Sequence, residues 1–135
     1  MASKIDHIGV AVRSIEEAKG FYETLGLAID HVEVVESEGV RVAMIPCGES
    51  RIELLEPTRD DSPIATFLDK RGPGIHHVCL GTGDIVRDDA SLREAGVRVL
   101  RERPTVGAGG ALVQFIHPKS AGGVLVELSQ PANDR

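Results

Sequence analysis

Two histidines and two glutamates stand at matching places in the two halves of the chain. His7 lies in "IDHIGVAV" and Glu53 in "RIELLEP"; His77 lies in "IHHVCLGT" and Glu127 in "VLVELSQP". The separations are similar, 46 positions in the first half and 50 in the second. Two neutral imidazoles with two carboxylates suit a divalent cation such as Co2+, Mn2+, Ni2+ or Zn2+. Four protein ligands in an octahedral shell leave two positions for water or substrate. An unpaired carboxylate on an apolar strand face is costly to keep ionised, and a bound cation removes that cost. A single strand histidine is more often a satisfied core or surface residue, and a single strand glutamate more often faces water. Recurrence in both halves is what singles out these four. The other histidines lack it: His76 points away from His77, His31 opens a polar strand, and His117 sits in the loop "HPKS".

The elements that must position these residues also repeat. Each half opens on a strand and continues into a helix. "SIEEAKGFYETLG" has Ser14 and Glu17 in capping-box spacing and ends on Gly26, and "DIVRDDASLREAG" has Asp84 as its cap and ends on Gly96. Three strand-like runs follow each helix, "HVEVVES", "VRVAMIP" and "RIELLEP" in the first half and "VRVLRER", "ALVQFIHP" and "GVLVELSQ" in the second. Each half therefore reads βαβββ. A short connector helix is expected in "DSPIATFLDKRG", capped by Ser62 and closed by Gly72. "VGAGG" precedes a strand rather than a helix, so it reads as a hairpin loop and not a phosphate cradle.

Strand alternation sorts the polar residues. Ile8, Val10 and Val12 oppose His7; Ile52 and Leu54 oppose Glu53; Val78 and Leu80 oppose His77; Val124, Val126 and Leu128 oppose Glu127. One face can pack under helices while the other carries one His or Glu among small or apolar neighbours. The expected fold is α+β, with two βαβββ modules (about 5–57 and 75–129, joined by a connector over about 58–74) curled into a half-open β-barrel around a metal site.

Composition fits this reading. A chain of 135 residues is one ordinary domain, and with no Trp and few aromatics its packing falls to Val, Leu, Ile and Ala. The net charge of −6 argues against nucleic acid and membrane surfaces as partners. No apolar run of about 18 residues and no signal-peptide pattern occurs. Cys47 and Cys79 form no close pair, and a reduced, cytoplasmic protein is expected.

Three stretches carry a family resemblance: "IDHIGVAV", "SPIATFL…GPGIHHVCL" and, most specific, "HPKSAGGVLVEL". With the paired βαβββ plan they resemble the methylmalonyl-CoA epimerases of the vicinal-oxygen-chelate superfamily, from about Ile5 to Leu128. The resemblance implies that His7, His77 and Glu127 are metal ligands and that Glu53 occupies a position where members carry Gln or Glu. It implies interconversion of (R)- and (S)-methylmalonyl-CoA through a metal-stabilised enolate; here Glu127 is expected to serve one face of that enolate and Glu53 the other. It also implies a divalent ion, Co2+ first with Mn2+, Ni2+, Zn2+ or Mg2+ as alternatives, and a homodimer. One position departs from the pattern: Val42 stands where some relatives have a catalytic Glu. Lys119 and Ser120, with Arg101 and Arg103, are candidates for contact with the CoA phosphates. The four-ligand set also suits glyoxalase I, which the flanking stretches favour less. A non-catalytic binding module of the same fold is a third reading, disfavoured by the completeness of the ligand set.

Overall fold

Side-chain caps start the helices where the sequence places them. In a computed structural model that describes residues 1–134, Ser14 Oγ accepts from the Glu17 N–H (3.2 Å) at the head of α1 (Ile15–Thr24). Ser62 Oγ accepts from the Ala65 N–H (3.1 Å) at the head of α2 (Pro63–Arg71). Asp84 Oδ1 accepts from the Arg87 N–H (3.1 Å) at the head of α3 (Ile85–Glu94). Each cap satisfies an otherwise orphaned backbone donor. Gly26 and Gly96 follow α1 and α3 with the same φ of +81°, a left-handed conformation that favours glycine.

Eight strands surround these helices in sequence: β1 (Ala2–Ala11), β2 (His31–Val35), β3 (Val40–Cys47), β4 (Ser50–Pro57), β5 (Gly74–Thr82), β6 (Thr105–Val106), β7 (Leu112–Ile116) and β8 (Val126–Gln130). Two units divide the chain, one of residues 7–76 and one of residues 1–6 with the chain from 77 onward. In the first the strand order is β2-β3-β4-β1, with β1 parallel to β4 and the other pairs antiparallel. In the second the order β5-β8-β7-β6 repeats the plan, with β5 parallel to β8. Both halves are thus βαβββ.

Each unit packs its helix on the face expected. Val12, Ile15, Ala43, Ile45 and Leu54 form one core, flanked by Val10, Ile52, Ala18 and Tyr22. Ile85, Ile116 and Leu128 form the other, flanked by Leu80, Leu92, Val97 and Val126. Leu54 is wholly buried, while Val10, Val78 and Val126 are half-buried.

One strand differs from expectation. "VRVLRER" forms no strand; only Val99 bridges to Ile116, and the short β6 takes the strand's place beside β7. Two backbone bonds to the β7 region, from the Leu100 N–H to the Phe115 carbonyl and from the His117 N–H to the Arg98 carbonyl (both 2.8 Å), and several side chains satisfy this segment's backbone instead. Gln114, fully buried, accepts from the Arg101 N–H through Oε1 (3.2 Å) and donates to the Arg101 carbonyl through Nε2 (2.9 Å). Arg93 donates to the Arg101 and Glu102 carbonyls (2.6 and 2.8 Å), and Ser120 Oγ accepts from the Arg98 N–H (3.0 Å). Once these groups are paired, a strand ladder is not needed. "VGAGG" is the hairpin loop expected, joining β6 to β7 with Gly109 and Gly110 at positive φ. Among the described residues no helix is long and apolar enough to cross a membrane.

A repeated tie fixes helices to the site strands. Glu56, three residues after Glu53, accepts from the Ile15 N–H at the start of α1 (2.8 Å). Gln130, three residues after Glu127, accepts from the Ile85 N–H at the start of α3 (3.0 Å) and donates to the Gly83 carbonyl (2.8 Å). An odd spacing on a strand turns the second residue to the opposite face, so the E-x-x-E/Q pattern serves site and helix together. Gln130→Ala is expected to cost about 1–3 kcal/mol, because it orphans a buried donor and a carbonyl. Urea midpoints at unchanged m-value would measure it, and an unchanged midpoint would contradict the tie.

Candidate metal centre

Parallel pairing sets the geometry of each His–Glu pair. On β1 and β4, Gly9 is the register partner of Glu53, so His7 lies two residues back on the same face. On β5 and β8, Cys79 is the register partner of Glu127, and His77 again lies two residues back. The offset is identical, so the longer spacing in the second half is absorbed before β8. The outcome is two imidazole–carboxylate pairs: His7 Nδ1 lies 3.3 Å from Glu53 Oε2, and His77 Nε2 lies 3.0 Å from Glu127 Oε1. All four side chains are buried, none more than 10% exposed.

The surroundings are mostly apolar. Phe115, register partner of Glu127, meets the His77 ring edge-to-face with centroids 5.9 Å apart. Met44 and the buried Val42 lie on the Glu53 face, paired with Glu53 and Leu55. Val42 thus faces the site and offers no proton acceptor. In register with it across the sheet is Glu33, half-buried, its Oε1 3.0 Å from His31 Nε2. Sequence reasoning passed over Glu33 and also Arg51, whose guanidinium lies on Glu53. Strand alternation puts Arg51, two residues before Glu53, on the same face, but strand pairing is what brings Arg51 to His7 and Glu33 to Val42.

Lys119 and Ser120 are exposed in a 3-10 turn after β7, where His117 Nδ1 accepts from the Lys119 N–H (3.0 Å). Desolvation, then Arg98 and Lys119, lower the pKa of His117 below the ordinary histidine value. Arg101 stacks on Phe115, its guanidinium carbon 4.9 Å from the ring centroid. Arg103 is exposed.

The donor set fits a divalent ion. Ligand atoms at roughly 2.1 Å from a first-row cation are roughly 3.0 Å apart when adjacent in the shell. The separations of 3.3 and 3.0 Å within the two pairs match that edge.

A family model described as "Glyoxalase/Bleomycin resistance protein/Dioxygenase superfamily" matches residues 6–115. The chain belongs to this superfamily. Within the superfamily, the ethylmalonyl-CoA/methylmalonyl-CoA epimerase of Cereibacter sphaeroides is 41% identical, over 96% of this chain and 99% of the relative. An uncharacterized protein of Bacillus subtilis, YqjC, is 41% identical over 98% of this chain and 96% of its own. A solved structure of Streptomyces coelicolor methylmalonyl-CoA epimerase in complex with 2-nitronate-propionyl-CoA superposes with a TM-score of 0.92. It is 42% identical, covering 98% of this chain and 99% of that one. The superfamily assignment and the two βαβββ halves agree with the expected vicinal-oxygen-chelate fold.

Proposed function

We propose that this chain is a divalent-metal-dependent epimerase that interconverts (R)- and (S)-methylmalonyl-CoA. The observation that carries the reading is the pair of buried His–carboxylate edges, set in the same register in each half. His7, Glu53, His77 and Glu127 hold one ion between them, with Co2+ the first candidate and Mn2+, Ni2+, Zn2+ or Mg2+ the alternatives. When bound, that ion supplies positive charge beside the oxygen that gains charge as the α-proton leaves.

The chain's own residues move the proton. A carboxylate on one face of the α-carbon takes the proton, and the C–H electron pair passes into the thioester to form an enolate. A protonated carboxyl group on the other face then returns a proton to the same carbon. Glu127 and Glu53 fill these roles. Their apolar surroundings exclude water from the exchange and strengthen every charge interaction at the carbon. Lys119 and Ser120 are the proposed contacts for the CoA end.

The donor set alone suits glyoxalase I equally, but the epimerase names of the relatives favour the malonyl thioester. The chain is further proposed to work as a cytoplasmic homodimer, which the exposed Val32 and Val34 on the terminal strand of their unit support. The deciding experiment follows α-proton exchange of methylmalonyl-CoA in heavy water, with and without a chelator, beside a hemithioacetal assay. Exchange that stops with chelator and returns with Co2+ is expected. Turnover of the hemithioacetal alone would replace this reading with the glyoxalase one.

A further inference from the structure

Arg51 has the sequence appearance of a solubilising surface residue, but its side chain is half-buried against Glu53. It is the register partner of His7 and shares the face of Glu53. Its Nε and Nη2 both lie 2.7 Å from Glu53 Oε2, and Nη2 lies 3.5 Å from His7 Nδ1. Exposed ion pairs contribute little, but here the carboxylate is only 5% exposed and the arginine side chain 30%. A permanent cation is therefore built against one of the proposed ligands.

We propose that Arg51 is a positioning residue whose fixed charge holds Glu53 in place, opposes uptake of the divalent ion and favours the anionic acyl substrate. The proposal rests on the metal-dependent reading above. The two effects of Arg51 on the metal oppose each other, and magnitudes decide between them. A unit charge about 6 Å from a divalent ion, at an effective dielectric of about 40, between the protein and water values, changes affinity by roughly a hundredfold. Lost order in one glutamate side chain weakens binding by at most roughly twentyfold. Removing the charge should thus tighten metal binding. A residue with a merely structural role would, on removal, leave it unchanged or weaken it. For the substrate the sign reverses, because its carboxylate and the developing enolate both gain from a nearby cation. Lysine keeps the charge and loses the planar fork that grips Glu53 through two N–H groups.

Competition with a fluorescent chelator measures Co2+ affinity for the wild type, Arg51→Gln and Arg51→Lys, with circular dichroism checking the fold of each. Arg51→Gln is expected to bind Co2+ about fivefold more tightly, while KM for methylmalonyl-CoA rises about tenfold at saturating metal. Arg51→Lys is expected to keep Co2+ affinity within about twofold and to lose kcat by about tenfold, as Glu53 is no longer held. Wild type that binds Co2+ with Arg51→Gln binding no more tightly overturns the Arg51 proposal alone. If Arg51→Gln does not fold, Arg51→Lys decides, and wild-type kcat in that variant overturns the positioning role. Wild type that takes up no divalent ion overturns the metal reading, and this proposal with it.

Discussion

His77→Ala is expected to empty the centre of metal and to lower epimerisation by roughly 10³-fold or more. The imidazole of His77 lies 3.0 Å from Glu127, and without it the second half keeps one donor of its pair. The fold should survive, because Ile85, Ile116 and Leu128 pack on the opposite face of the strands. His7→Ala should do the same from the first half, and that symmetry is the sharper part of the prediction. If one ion uses both pairs, the wild type holds one ion per chain and either substitution removes all of it. If each pair held its own ion, each variant would keep half the metal of the wild type. Metal content by mass spectrometry after gel filtration separates the two cases, and near-UV circular dichroism confirms the fold. Full occupancy in both variants would remove His7 and His77 from the ligand set.

What made these four side chains legible was period-two alternation repeated in two halves. The burial of His7, Glu53, His77 and Glu127 opposite the helix-packed cores follows from it directly. The shared register offset was not legible, since residue spacing alone does not say which strands pair or in which direction. The segment 97–103 misled for a different reason. Its Val-Arg alternation suits a strand, but Gln114, Arg93 and Ser120 take several of its backbone groups, and those residues lie up to 22 positions away. Arg51 was missed because an arginine two residues from a strand glutamate looks like surface charge. Only pairing with His7 on β1 shows that it lies against the site.

Glu53→Gln is expected to bind metal, to lose epimerisation by roughly 10²-fold or more, and still to exchange the α-proton of one enantiomer with solvent. Glutamine keeps a neutral oxygen at the position, so a ligand remains while the base is lost. The expectation follows from Val42. It lies on the same sheet face as Glu53, at the place where some resembling epimerases carry a glutamate, and it has no atom that accepts a proton. Glu53 is the buried replacement on that face: its register partner Met44 stands two residues from Val42 on β3, whereas Glu33, directly opposite Val42, is more exposed and lies 3.0 Å from His31 Nε2. With Glu127 left to serve one face, a single enantiomer would lose and regain its proton without inverting. Deuterium incorporation into each enantiomer, read against the rate of racemisation, tests this in one experiment. Epimerisation near the wild-type rate would rule out Glu53 as a base. The same measurement on Glu33→Gln would then come next, since Glu33 is the register partner of Val42 across β2 and β3 and the remaining carboxylate on that face of the three-stranded run β2-β3-β4. A hundredfold loss there, with Glu53→Gln unaffected, would move the second base two strands outward, from β4 to β2, and leave Glu53 as a ligand only.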